Sequence, residues 1–229
     1  MFDISILDEN VPTIIEGLAK KLPAYKKWTD KYLSKNMGDI KGFVEQSSDS
    51  VFNPTSPLSN SVIDDKMSPF EFVKKYSRNS RRKNKLFLAE YPLTGELLGD
   101  IAIEDFVSCI YRYTSNVFIE PLLYLGRGGN ITPMHHDDYS NIYIVLAGKK
   151  KVEVISSKYN DQLKEYVVDG NQLKIKDISN VDYNKYPEMK EVHISTFDVQ
   201  AGDALYIPRG FWHRMTGGED RNLAVSLWF

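Results

Sequence analysis

A chain of 229 residues with 42% hydrophobic and 12% aromatic content can bury a sizeable core as one domain with elaborations, which argues against a tail or a fibre. Its 29 basic and 31 acidic side chains nearly cancel, so no global field gathers nucleic acid or lipid, and specific partners must be argued locally. A lone Cys109 excludes an intrachain disulfide and a thiolate metal cluster. No apolar run is of bilayer-spanning length, and the opening MFDISILDENVPTII is too acidic and polar for a secretory signal, so the expected setting is reduced and cytoplasmic, with no membrane partner.

Between Val11 and Leu33 the residues Ile14, Leu18, Leu22, Tyr25, Trp28 and Leu33 recur mostly at three- or four-residue spacing, which predicts one or two short helices, the second opened by Pro23. Residues 45–69 turn to Ser, Asn, Asp and Pro and read as a long polar loop. Ser68 followed by Pro69 and Glu71 reads as the capped start of a helix through Tyr76. Lys74, Lys75, Arg78, Arg81, Arg82, Lys83 and Lys85 then form a basic run that reads first as a solvated helix end and loop, with RNA phosphates or an acidic peptide as the alternative contact. From Leu86 the pattern changes to short alternating or apolar runs broken by turns, among them KLFLAEYPL, NIYIVLAG, KKKVEVI, DALYIP and NLAVSLWF. Many short strands at this spacing predict an all-β sandwich or barrel over 86–229, with 1–85 a helical and loop elaboration of the same structural unit.

Within that second half, Thr-Pro-Met-His-His-Asp at 132–137 is answered 76 residues after the Asp by a histidine, His213, in Pro-Arg-Gly-Phe-Trp-His. A His-x-Asp pair with a distant His has the form of a 2-His-1-carboxylate facial triad for Fe(II), with open positions for chemistry. Residues two apart on a strand share a face, so His135 and Asp137 can meet one ion while His136 turns away toward solvent or substrate. His193 has no acidic neighbour at the matching spacing and reads as an ordinary strand histidine. In KKKVEVI, Lys150 shares the parity of Val152 and Val154 and is therefore expected on the apolar face. An ammonium there is costly unless an anion meets it, and an anionic co-substrate accounts for it better than snorkelling to water.

The stretch GRGGNITPMHHDDYSNIYIVLAGKKKVEVI, then SNVDYNKYPEM, then AGDALYIPRGFWHRM, resembles the cupin-like JmjC family of Fe(II)- and 2-oxoglutarate-dependent oxygenases. It is similar in particular to the hydroxylase branch that includes the asparaginyl hydroxylase of hypoxia-inducible factor. The resemblance implies a double-stranded β-helix (jelly-roll) core preceded by helices, with His135, Asp137 and His213 as iron ligands. It further implies that Thr132 and Lys150 bind the far carboxylate of 2-oxoglutarate, that Asn141 lies beside that co-substrate, and that O2 takes the remaining iron position. Two departures stand out. Phe87 occupies the place where relatives carry a Tyr hydroxyl for the co-substrate, with Tyr124 as a candidate substitute, and Ser226 stands where some relatives have Asn.

The implied activity is hydroxylation of a C–H bond, coupled to conversion of 2-oxoglutarate to succinate and carbon dioxide. A protein or peptide side chain is the first substrate class, and a small molecule or an RNA base is the alternative. A metal-binding cupin that does not use 2-oxoglutarate is the competing reading, against which Lys150 and Thr132 discriminate. The chain ends at Phe229, directly after the last strand, so dimerisation through C-terminal helices, as in several relatives, is not expected; the oligomeric state stays open.

Overall fold

Strand Asn141–Ala147 (β7) is apolar at nearly every position because both of its faces are covered. Ile142, Ile144 and Leu146 point to a layer of helices, while Tyr143 and Val145 point between two antiparallel sheets. The computed structural model describes residues 7–37, 43–76, 84–113 and 120–229. Its elements in chain order are β1 (Thr13–Ile15), α1 (Pro23–Lys27), α2 (Asp30–Asn36), β2 (Phe43–Ser47), β3 (Val62–Ile63), α3 (Pro69–Tyr76), β4 (Lys85–Pro92), α4 (Glu96–Asp100), α5 (Ile103–Tyr113), β5 (Leu122–Gly126), β6 (Ile131–His135) and β7. They continue with β8 (Lys149–Ile155), α6 (Asn160–Leu163), β9 (Val167–Val168), β10 (Gln172–Leu173), β11 (Ile194–Gln200), β12 (Ala204–Ile207), β13 (Trp212–Gly217) and β14 (Asn222–Trp228).

The larger sheet runs β1-β12-β7-β14-β5-β4-β2-β3 and the smaller β11-β8-β13-β6-β10-β9, the two-sheet arrangement of a jelly-roll. Gly148 carries the chain from β7 in one sheet to β8 in the other. It sits at φ +75°, and a Cβ there would lie 2.3 Å from the Arg221 carbonyl oxygen, so only glycine fits the switch. Tyr143, Val145, Val152, Val154, Leu205 and Met215 form the core between the sheets. A larger core joins the outer face of the big sheet to Leu33, Phe72, Tyr76, Leu97 and Ile110 of the helices. The fold is mainly β, as the run of short strands predicts.

Several local expectations hold and several do not. Pro23 opens α1. Ser68 and Glu71 close a capping box at α3: the Glu71 amide donates to Ser68 Oγ at 3.2 Å and the Ser68 amide to Glu71 Oε2 at 3.3 Å. Ile14, counted into a helix by its spacing, instead lies on β1, opposite Leu205, where the β-branched run Thr13-Ile14-Ile15 extends the sheet. The polar stretch 45–69 is not loop throughout, because it starts on β2 and contains β3, which pair with each other. Its middle is tied down by long-range bonds: the Phe52 amide donates to the Ile131 carbonyl at 2.8 Å and the Asn53 amide to Ser61 Oγ at 3.1 Å. Helices α4 and α5 lie in a stretch for which the periodicity reading named no element. No described helix is long and apolar enough to cross a membrane.

Candidate active site

His135 and His213 face each other across the β6–β13 pairing, where the ladder places them as direct partners just before a register shift. Asp137 lies two residues beyond β6, and its carbonyl accepts a bond from the Gly210 amide at 3.0 Å, which pins the extended chain so that its carboxylate turns back toward both imidazoles. His135 Nε2 is 3.9 Å from Asp137 Oδ1 and His213 Nε2 is 3.6 Å from Asp137 Oδ2. These separations are too long for hydrogen bonds. The three donors all lie within 4.8 Å of one another, the spacing of groups able to share an ion.

The tautomers favour that use. His135 Nδ1 is 2.8 Å from the Pro133 carbonyl and His213 Nδ1 is 3.0 Å from the Phe211 carbonyl. A carbonyl only accepts, so each Nδ1 carries a hydrogen, which in a neutral imidazole leaves the Nε2 lone pair for the centre. Burial, followed by the neighbouring His135, pushes the His213 imidazole down to about 4, so it stays neutral and able to ligate at physiological pH. Two imidazoles and one carboxylate are a donor set that fits a divalent first-row metal.

The triad opens into a cavity of about 380 Å³ between the sheets. Thr132, Asn141, Lys150, Tyr124 and Ser226 all line it, as does Phe87. Lys150 is only 4% exposed, and no carboxylate among the described residues pairs with it. Its Nζ sits 5.7 Å from the Phe87 ring centroid. Burial pushes the ammonium down to about 8. Asn141 Nδ2 donates to Ser226 Oγ at 3.3 Å, while its Oδ1 is buried without a partner. Tyr124 is raised well above the ordinary tyrosine range, chiefly by burial, with Ser226 in hydrogen-bonding reach of its hydroxyl.

His136 points away from the metal centre, as expected, and its half-buried ring packs edge-on against Trp212 at 4.5 Å. It also borders a second cavity of about 290 Å³ that shares Asp137, Asn171 and Trp228 with the first. His193 is exposed and lines neither cavity. In the basic run, Lys75 pairs with Glu71 at 3.7 Å and Lys74 lies over the Phe70 ring, while Arg78, Arg81, Arg82 and Lys83 fall outside the described residues.

Among the cavity residues that sequence reasoning did not single out, Tyr143, Glu45 and Glu90 carry titratable groups. Tyr143 shares the parity of Asn141 in NIYIVLA, a signal present in the strand but unused. Glu45 sits on β2, within the stretch read as loop, so no alternation could be assigned to it. It is 5% exposed, burial pushes its carboxyl up to about 7, and Oε2 has no partner. Glu90 stands at the rim with a left-handed backbone, φ +50°.

Comparison with known proteins adds a family to this geometry. The family model described as "Cupin-like domain" matches residues 1–229. JmjC domain-containing protein E of Dictyostelium discoideum is 27% identical over 97% of this chain and 79% of its own length. Lysine-specific demethylase JMJ30 of Arabidopsis thaliana is 30% identical over 62% of this chain, and lysine-specific demethylase 8 of Xenopus tropicalis 27% identical over 95% of it. The matched regions cover 33% and 48% of those two demethylases, so much of each relative lies outside the comparison.

Proposed function

The chain belongs to the cupin-like domain family, whose JmjC members use Fe(II), 2-oxoglutarate and O2, and on that premise we propose that it is an oxygenase hydroxylating a C–H bond on a protein or peptide side chain. One observation carries the reading: the three metal-type donors and an ammonium with no counter-ion among the described residues line the same cavity. In this assignment His135, Asp137 and His213 hold the metal, and Lys150 with Thr132 holds the far carboxylate of 2-oxoglutarate. The bound iron and co-substrate supply the oxidising power that puts one oxygen atom of O2 into the C–H bond, with succinate and carbon dioxide as co-products. The protein's own share is positional. Backbone carbonyls hold both imidazoles through Nδ1, and Asn141 and Ser226 present polar edges beside the co-substrate.

The substrate side of the cavity supports a cationic side chain. Glu45 and Glu90 line its wall, and Glu45 has a buried oxygen without a partner, which an ammonium or guanidinium would satisfy. The second cavity, continuing past Asp137 and Trp228, gives an extended peptide room on the other side of the reacting residue. Two relatives carry the name lysine-specific demethylase. Hydroxylation of an N-methyl carbon and of a side-chain carbon are the same C–H chemistry, and differ in whether the product then sheds formaldehyde. A metal-binding cupin that does not use 2-oxoglutarate has no evident use for Lys150, which the co-substrate reading explains.

The test is succinate release by the iron-loaded protein with lysine- and arginine-containing peptides, read beside mass spectrometry of the peptides. Gain of one oxygen atom supports hydroxylation, and loss of a methyl group from methylated peptides supports demethylation. Absence of succinate under every condition, together with no binding of 2-oxoglutarate, would sink the assignment.

A further inference from the structure

Tyr143 is 3% exposed and lines the cavity, and no hydrogen-bond partner for its hydroxyl is found among the described residues. The β7 alternation puts it there: Asn141, Tyr143 and Val145 face the space between the sheets, and Ile142 and Ile144 face the helices. Its phenol therefore faces the cavity free to donate to a bound ligand, and the Lys150 ammonium, 4% exposed, stands on the facing sheet of the same cavity. Two unpartnered donors in one pocket ask for one acceptor with more than one oxygen. Nearby, the position that would offer a hydroxyl in the resembled family is Phe87, whose ring lies 5.7 Å from Lys150 Nζ and offers none.

Tyr124, the substitute suggested by sequence, has Ser226 as a competing neighbour. Its ring lies between those of Phe87 and Tyr143, with centroids at 6.2 and 6.4 Å, but its hydroxyl is within reach of Ser226, which also accepts the Asn141 amide. Tyr143 has no such commitment.

We propose that Tyr143 supplies the hydroxyl missing at Phe87, its phenol and the Lys150 ammonium each taking one oxygen of the co-substrate's far carboxylate. The assignment rests on the 2-oxoglutarate reading above and goes beyond it by naming the residue that makes the pocket selective for a dicarboxylate. An ammonium alone attracts any carboxylate, whereas an ammonium and a phenol on separate strands fit two oxygens at the far end of a ligand of set length. Burial pushes Tyr143 well above its ordinary value, so it remains a donor throughout the physiological range. In effect the hydroxyl has moved from β4 to β7.

The experiment measures binding to the Mn(II)-loaded protein by calorimetry, using 2-oxoglutarate and 2-oxobutyrate, which shares the chelating end and lacks the far carboxylate. Tyr143→Phe should weaken 2-oxoglutarate by about tenfold or more, the scale of a hydrogen bond to a charged group, and leave 2-oxobutyrate unchanged. Tyr124→Phe should change 2-oxoglutarate by less than about threefold. Adding Phe87→Tyr to Tyr143→Phe should restore most of the lost affinity, a rescue that a general packing defect would not show. Equal affinity of Tyr143→Phe and the parent for 2-oxoglutarate, or equal weakening of both ligands, overturns the assignment of Tyr143 and leaves the oxygenase reading intact. A parent protein that binds neither ligand overturns both.

Discussion

Replacing Lys150 with methionine deletes one charge while keeping an unbranched apolar stem, and its effect on stability follows from the burial of the ammonium. The residue is 4% exposed, no carboxylate among the described residues meets it, and burial lowers it from 10.5 to about 8. At about 1.36 kcal/mol per pH unit, that fall amounts to roughly 3 kcal/mol set against the folded state at pH 7. Below pH 8 both states are protonated and the full cost stands. Between about 8 and 10.5 the folded state has lost its proton while the unfolded state keeps it, so stability rises with pH and the cost fades. Lys150→Met should therefore be more stable than the parent by roughly 3 kcal/mol at pH 7 and by less than half of that at pH 9.5, with the gap closing above 10.5. Urea unfolding of metal-free protein at the two pH values measures it. Adding Mn(II) and 2-oxoglutarate at about a hundred times the dissociation constant should then raise the parent by about 2.7 kcal/mol and the variant by much less. A variant that is less stable at pH 7, or a gap that does not change with pH, would refute the claim that an unmatched ammonium lies in that cavity.

Asp137→Ala should remove measurable Mn(II) binding by calorimetry and reduce succinate release to background, because two neutral imidazoles alone lack the carboxylate's charge; retained tight metal binding would count against the triad. For Glu45, whose carboxyl is raised to about 7 by burial, the group is neutral below that pH and charged above it, so affinity for a cationic peptide should rise as pH passes through 7. Glu45→Gln should flatten that profile, and an unchanged profile would reassign the pH dependence to another group. Glu153 is buried and accepts from Arg214 at 2.6 Å, from Lys151 at 3.1 Å and from the Ser179 hydroxyl. Glu153→Ala should cost about 3 kcal/mol in urea unfolding, since it leaves Arg214 without its partner in a poorly solvated place; a loss below about 1 kcal/mol would mean that water substitutes freely.

What was legible in the sequence was whatever depends on alternation within one strand. Lys150 is buried on the face of Val152 and Val154 as its parity requires, and the two-residue step from His135 brings Asp137 to the same centre even though β6 has ended. What was illegible depends on partners far along the chain. Ile14 satisfies a helical spacing as well as a strand, and only the edge of β12 decides between them. Residues 45–69 are polar in composition, yet β2 pairs with β4 and the Phe52 amide bonds to Ile131, so distant strands turn an apparent loop into a wall of the site. Glu45 was hidden for that reason.

The distinction bears on how such a pocket can change its selectivity. Residues that point into a jelly-roll cavity are set by parity, so a hydroxyl lost from one strand can be replaced from any other strand whose inward positions reach the same point. Phe87 on β4 and Tyr143 on β7 are both inward-facing, both line the cavity, and lie on opposite sides of Tyr124. Exchanging their ring types leaves the core volume nearly constant, and volume-conserving swaps are the kind a close-packed interior tolerates best. Such an exchange moves a donor across the pocket with little cost in stability, so the parent and the Phe87→Tyr/Tyr143→Phe double variant should unfold within about 1.5 kcal/mol of each other. A much larger gap would mean that the two walls are not interchangeable and that Tyr143 is held in place by packing alone.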